Sequence, residues 1–492
     1  MWLELNARIE PQHSTAAQSR IDTGHQVGDI ARQLADPEHK GVLLDAQRDG
    51  FENVFKRTAE LLQTPQPIFE AGFKTDNALA FADIMLPDAQ SGANEWHMVE
   101  VKSSGSVKAY HLDDIAIQSH IARQAGVPLK TVALAHIDTS FVYPGNGKYF
   151  GLLKASDLTE ATFARSEEIA TLITEAQHVA ELPEAPDIAI GPQCHKPFEC
   201  GFLFYCAEGL AIGETEGAAD AGFDINVIPG PYTKDFRLFK EAHPDAALAD
   251  IPEALLNDMQ KRVRDCSLTG EIYFDADAAK KSTHPNKRPA YFVDFETINL
   301  AVPIWAGTKP YQQIPFQYSL HVLDENNQLQ HCEFLDLSGE DPSRQFAETL
   351  IQHMGEHGPV YVYNAAFEGG KLAELANRYA DLSPALLAIR KRLVDLQPIT
   401  KHNYYHPDQY GSWSIKNVLP TVAPELSYQQ LNGVQDGQMA IDAYYEAIQP
   451  ETTPARKAEI HNQLLAYCKL DTLAMVKLWE YLAGVSLPDF EN

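Results

Sequence analysis

Three short segments in the last third of this chain carry residue types suited to hydrolysing a phosphodiester bond. YFVDFET sets Asp294 and Glu296 two apart in an apolar run, so on a strand both carboxylates point to one face. YVYNAAFEGGKL places Asn364 and Glu368 at an expected strand-to-helix junction. LLAYCKLDT sets Tyr467 and Asp471 at i and i+4, which is one face of a helix. Two-metal hydrolysis needs several carboxylates converging on ions roughly 3.5–4 Å apart. Acids in apolar strands also need a partner, because unpaired buried charge is costly, and cations provide one. Taken singly, an acid pair on a strand is common, and Tyr467 with Asp471 reads as a surface helix pair. The ordered triple is the specific signal.

Two further groups lie earlier. Asp83 sits in FADIML, and Glu100 and Lys102 share a face of the expected strand HMVEVK. Gln118 follows on an expected helix in HLDDIAIQ. Asp83 and Glu100 can hold a metal, while Lys102 can orient or polarise an attacking water. The plainer reading is an exposed strand edge with ordinary charges. The other group is sulfur. GPQCHKPFECGFLFYC carries Cys194, Cys200 and Cys206 with five residues between neighbours, while the remaining three cysteines are isolated. With no export signal in view, such spacing points to metal or iron–sulfur ligation before disulfides. The plainer reading is three buried apolar cysteines among Phe198, Phe202, Phe204 and Tyr205.

The elements that must position these groups read as two α/β units. Residues 21–36 and 47–63 are expected helices. Strands at 81–86 and 97–102 follow, joined by the polar turn PDAQSGAN, then a helix at 111–125 and a strand at 131–137. Residues 211–287 read as a connecting region, with the turn PGPY (229–232), a helix near 252–265 and the basic KKSTHPNKRP. Beyond it come a strand at 290–297 and a hairpin at 317–337 turning at Asp324–Asn327. A helix after Asp341 ending near Gly358, a strand at 359–363 and a long amphipathic helix at 456–483 complete the unit. The expected domains are therefore 1–210 and 288–492, with 211–287 between them.

A length of 492 residues fits two or three compact units. No stretch of 18 or more apolar residues is present, so a membrane span is not expected. The N-terminus lacks the basic-then-apolar order of a secretory signal, which makes the cytoplasm the expected location. The net charge of −29 argues against a non-specific nucleic-acid coat. It does not argue against a nuclease, whose metal sites are themselves acidic. Short basic runs at Lys261, Arg262 and Arg264, at Lys280 and Lys281, and at Arg390, Lys391 and Arg392 each read singly as solvated surface.

Over about 290–485 the three acidic segments resemble the exonuclease motifs of the DnaQ-like (DEDD, ribonuclease H-like) superfamily. The Tyr-x-x-x-Asp spacing resembles the subgroup in which tyrosine rather than histidine orients the attacking water. This resemblance implies that Asp294, Glu296, Glu368 and Asp471 bind two Mg²⁺ or Mn²⁺, that Tyr467 positions water, and that cleavage runs 3′–5′. The second motif usually carries Asp where this chain has Glu368. GSWSIKNVLP (411–420) resembles a segment that precedes the final helix in relatives, with Ser414 as a helix cap the plainer reading.

Over 20–140, the set Asp83, Glu100, Lys102 and Gln118 resembles the PD-(D/E)xK fold of RecB-like nucleases. Two positions depart from it: His25 is off-register with Gly28 in its place, and Ala122 stands where a tyrosine is common. Iron–sulfur members of that class imply a [4Fe–4S] cluster on Cys194, Cys200, Cys206 and one upstream cysteine. No cysteine precedes Cys194, and MWLELN resembles the middle of the segment that follows the upstream ligand. The expectation is that this chain starts late and lacks the fourth ligand.

The whole order resembles the bacterial family called domain of unknown function 2779. It implies an α/β chain with a restriction-endonuclease-like core, followed by a ribonuclease H-like mixed sheet flanked by helices. The implied activity is a metal-dependent nuclease acting on nucleic acid, DNA first, in repair, recombination or defence, with a helicase or repair factor as partner and no membrane. A ribonuclease, or a catalytically degenerate nucleic-acid-binding or scaffold protein, are the alternatives.

Overall fold

A computed structural model describes residues 2–12, 15–88, 94–211, 223, 225–244 and 246–488. The chain divides into two units, Met1–Thr215 with Asn299–Gln312, and Glu216–Ile298 with Gln313–Asn492. Both are α/β with mixed sheets. Among the described residues, no helix is long and apolar enough to cross a membrane.

The first unit opens with α1 (Thr15–Ala35) and holds a six-stranded sheet. Its strands are β1 (Val42–Leu43), β2 (Ile68–Lys74), β3 (Leu79–Pro87), β4 (Trp96–Lys102), β5 (Leu129–Ile137) and β6 (Leu153–Asp157). They lie side by side in chain order. β2, β3 and β4 form an antiparallel meander. β5 then returns parallel to β4, because α2 (Ala109–Gln124) carries the chain across. Alternation divides β4 cleanly. Met98 packs with Ile115 and Ile121 of α2, while Val99 and Val101 turn to the other face with Ala31 of α1. Ala301 and Val302 of the second segment join Val27, Ile30, Ile137 and Leu152 in one small core. The turn expected between β3 and β4 lies at 89–93, outside the described residues.

The second unit centres on a five-stranded sheet. Its members are β7 (Ala290–Ile298), β8 (Ile314–Leu323), β9 (Leu329–Leu335), β10 (Val360–Val362) and β11 (Leu393–Asp395), in the order β9-β8-β7-β10-β11. The first three are antiparallel and the last two run parallel to β7. The β8–β9 turn falls at Asp324–Asn327, as the pattern requires: the Asp324 carboxylate accepts from Asn326 N and Gln328 N at 2.8 Å each. Asn327 takes the left-handed φ of 59° that asparagine tolerates.

Three helices of this unit matter for chemistry: α3 (Ala365–Arg378), α4 (Ile415–Val422) and α5 (Pro454–Ala483). α5 is well punctuated. Thr453 caps its start, Pro454 occupies the first turn, and Gly484 closes it at φ 61°. Its apolar end, Met475, Val476 and Trp479, packs on Phe292 of β7. The alternate residues Val293 and Phe295 face Phe346 and Leu372 on the other side.

Residues 216–298 belong to this unit. Phe236, Leu248, Val263 and Cys266 share a core with Tyr404, Trp413 and Leu478. The helix expected near 252–265 runs Asp258–Thr269, because Asn257 caps it by accepting from Gln260 N.

Candidate active sites

The strand period carries the contact of Phe292 with α5 forward along the same face. Two residues on is Asp294, and two further is Glu296, opposite Ser319 and Gln317 of β8. The helix runs alongside, bringing Asp471 and then Tyr467 to the acids. The sheet clamps the helix at two points. Gln317 Nε2 donates to Leu464 O at 2.7 Å, and Thr472 bonds with Ser319 Oγ (2.6 Å) and His321 Nδ1 (2.8 Å). Four of the expected residues, Asp294, Glu296, Tyr467 and Asp471, thus meet in one place. Asp294, Glu296 and the unexpected Cys468 hold ligand atoms within 4.8 Å of one another.

Glu368 arrives from the first turn of α3, 2 % exposed. Asn364 occupies the helix N-cap but makes no side-chain cap; Asp395 does, accepting from Ala365 N at 2.8 Å.

The electrostatics are those of acids waiting for a counter-charge. Burial, then Asp471, Glu296 and Glu368, push Asp294 well above the usual carboxylate range. Glu296 is raised by burial and Asp471, with Lys416 opposing. Glu368 is pushed up to about 8 by burial, with Asp395 adding to it. Asp471 is raised by burial to about 6, held there by Tyr428, Lys416 and Tyr467. Glu368 Oε2 and Asp471 Oδ2 are buried without a hydrogen-bond partner. Hard oxygen ligands, mutual repulsion and unpartnered lone pairs together fit a divalent cation.

Two residues here had no role assigned from the sequence. Tyr428 Oη donates to Asp471 Oδ1 at 2.6 Å. Lys416, from α4, donates to Gln435 O at 3.0 Å and lies over the rings of Tyr428 (5.2 Å) and Tyr467 (5.4 Å). In GSWSIKNVLP the sequence points to a Ser–Lys element without a role for it, and the plainer reading is Ser414 as a helix cap. That residue does sit at the cap position of α4, yet its hydroxyl donates to Asn417 Oδ1 (2.6 Å) instead of capping.

In the first unit, Asp83, Glu100, Lys102 and Gln118 also gather. Asp83 Oδ2 accepts from Val101 N at 2.7 Å, which ties β3 to β4 at the site. Lys102 Nζ donates to Glu100 Oε1 (2.7 Å) and to Asp114 Oδ2 (2.5 Å). Gln118 reaches Asp114 (3.2 Å), not the other two acids. Burial and Asp83 push Glu100 up to about 8, and burial with Glu70 nearby pushes Asp83 up to about 6. Burial works against the Lys102 charge, but Glu100 and Asp114 more than offset it and raise the ammonium above its ordinary range. Glu100 Oε2 is buried with no partner.

Glu70 was missed. It breaks β2 with a left-handed φ of 55°, and Arg32 of α1 lies 3.5 Å from its carboxylate. Only the acid itself was visible in IFEAGFK, with no spacing to mark it.

Cys194 and Cys206 are half-buried and Cys200 is exposed, so the reading of three buried apolar cysteines does not hold. All three are free thiols. Cys200 N donates to Cys194 O (2.7 Å), closing the loop between them, and Gln12 N donates to Gly201 O (2.8 Å).

Set beside known proteins, the chain is 28% identical over 212 residues to the uncharacterized protein MG366 homolog of Mycoplasma pneumoniae. It is 25% identical over 212 residues to the uncharacterized protein MG366 of Mycoplasma genitalium. Each match takes in 39% of this chain and about a third (32% and 31%) of the relative's length. No solved structure matches. Residues 291–414, which hold Asp294, Glu296, Glu368 and Asp395, match the family described as domain of unknown function (DUF2779).

Proposed function

We propose that this protein is a metal-dependent nuclease whose second unit is a 3′–5′ exonuclease acting on DNA. The observation that carries the reading is the convergence of Asp294, Glu296, Glu368 and Asp471 with Tyr467, four acids whose carboxyls are all raised by burial. Those four would hold Mg²⁺ or Mn²⁺. Divalent cations bound there supply charge neutralisation at phosphate and an acidified water. Tyr467, 4 % exposed beside Asp471, would hold that water in line. Lys416, fixed by the Gln435 carbonyl, sets its side chain beside Glu296 and Asp471, where it opposes the rise of both carboxyls. The strand order of the second unit, antiparallel for three strands and parallel for two, supports a ribonuclease H-like fold.

The meander, helix and parallel strand of the first unit support a PD-(D/E)xK nuclease core in the same way. Asp83 and Glu100 would hold a cation there, with Lys102 orienting water. Cys194, Cys200 and Cys206 would supply three ligands of a [4Fe–4S] cluster, a role their free and partly exposed thiols permit. Repair, recombination or defence, with a helicase as partner, is the setting proposed.

The test is cleavage of end-labelled single-stranded DNA and RNA with Mn²⁺, by the wild type, Asp294→Ala and Lys102→Ala. Stepwise 3′ shortening of DNA that disappears in Asp294→Ala is expected. Equal cleavage of both polymers would reassign the enzyme as indifferent to the 2′-hydroxyl. No cleavage of either, by wild type with its cluster loaded, would leave a nucleic-acid-binding protein.

A further inference from the structure

Cys468 is a buried thiol that the exonuclease reading does not use. It lies on α5 between Tyr467 and Asp471 and is 0 % exposed. A buried cysteine ordinarily packs as a small apolar residue. This one has its sulfur within 4.8 Å of carboxylate oxygens of both Asp294 and Glu296. Its thiol donates to the Asp294 carbonyl oxygen, a weak contact at 3.9 Å. A second observation points to a ligand in the same corner: Asp471, 8 % exposed, keeps Oδ2 without a partner.

We propose that Cys468 gives this corner a soft ligand, so that a thiophilic divalent cation, Zn²⁺ or Cd²⁺, binds Asp294, Glu296 and Cys468 in competition with Mg²⁺. The proposal rests on the reading of the corner as a cation site. Oxygen ligands alone favour Mg²⁺ and Mn²⁺ weakly, whereas thiolate selects zinc-like ions, which also bind nitrogen, oxygen and sulfur sites more tightly than Mn²⁺. Ligands about 2.0–2.3 Å from a tetrahedral zinc lie roughly 3.5 Å apart, so the present spacing closes with small side-chain movements. On binding, the sulfur–metal bond forms and the thiol proton passes to buffer. Because Asp294 and Glu296 are shared, the soft ion excludes the catalytic one instead of sitting beside it.

The test uses the full chain, reduced and freed of metal, titrated with Cd²⁺ while the ultraviolet thiolate-to-cadmium absorption is recorded. Thermal shifts with Mn²⁺ are measured in parallel. Cys468→Ser should lose one cysteine's share of the absorption and bind Cd²⁺ at least tenfold more weakly at this site, while Mn²⁺ still raises its melting temperature. Zn²⁺ should inhibit the wild type at lower concentration than the variant. If Cys468→Ser does not fold, Asp294→Asn, which retains the thiol, should lose the same absorption. Unchanged cadmium absorption in the folded variants, with the Mn²⁺ shift intact in the wild type, overturns the inference and leaves the cation site standing. Absence of both the absorption difference and the Mn²⁺ shift overturns both.

Discussion

Tyr428 determines which oxygen of Asp471 stays open. Its hydroxyl occupies Oδ1 at 2.6 Å, leaving Oδ2 buried without a hydrogen-bond partner. Groups that orient a metal ligand typically contribute roughly 10- to 100-fold in affinity. Tyr428→Phe should therefore weaken Mn²⁺ binding by about that factor, read by calorimetric titration. Tyr467→Phe, by contrast, should leave affinity near wild type and lower kcat. Equal Mn²⁺ affinity in wild type and Tyr428→Phe would mean the tyrosine only packs. Nothing in SYQQLNG marks Tyr428, because its partner stands 43 positions later and only the fold joins them.

Glu368 makes a second residue-scale case. Its carboxyl sits at about 8 in the fold against an ordinary 4.5, so the native state binds a proton that the unfolded chain has lost. That contribution is complete below about pH 4.5 and disappears as pH rises through 8, a loss on the order of 5 kcal/mol. In chelator, Glu368→Gln should be more stable than wild type at pH 8 and similar at pH 5, by chemical denaturation. Mn²⁺ should narrow the gap at pH 8. A constant difference across pH would show that Glu368 ionises freely.

Among elements, legibility followed burial pattern. WHMVEVK alternates buried and half-buried residues from Trp96 to Glu100, and that period places Glu100 and Lys102 together as expected. Strand β2 went unread, because the left-handed Glu70 interrupts its alternation and leaves it mostly buried on both sides of the break. β11, three half-buried residues at the sheet edge, also went unread, whereas the three buried residues of β10 fall within the strand expected at 359–363. α5 was readable because it is long and sharply capped, although its burial reaches almost all round the apolar end. That end anchors the end that carries Tyr467 and Asp471. Trp479 is fully buried against Phe292 and Tyr361, and its Nε1 donates to Thr283 O (3.1 Å). Trp479→Ala should lower stability by about 3–5 kcal/mol, seen as a shifted denaturation midpoint. Mn²⁺ should recover part of it, since the ion draws α5 to β7 from the other end. A loss under 1 kcal/mol would mean that the helix is held mainly elsewhere.

For the whole molecule, the net charge of −29 sets how a polyanion can be approached. A basic nucleic-acid binder gains affinity from counterion release, with log K falling by about 0.9 per phosphate contact for each tenfold rise in salt. This chain has 39 basic against 68 acidic residues, and each unit gathers several acids into one site. Under the proposed function, cations filling those sites would change the local sign where phosphate would enter. Single-stranded DNA should therefore bind weakly in chelator, with a shallow salt slope. Ca²⁺, which fills oxygen sites and is expected here to bind without turnover, should tighten binding at least tenfold by fluorescence anisotropy. Asp294→Asn and Lys102→Ala should act separately on that gain, because each of the two sites draws its residues from one unit and they share none. Tight binding in chelator with a steep salt slope would instead place the docking surface on the lysines and arginines outside both sites, and leave the acidic clusters to chemistry alone.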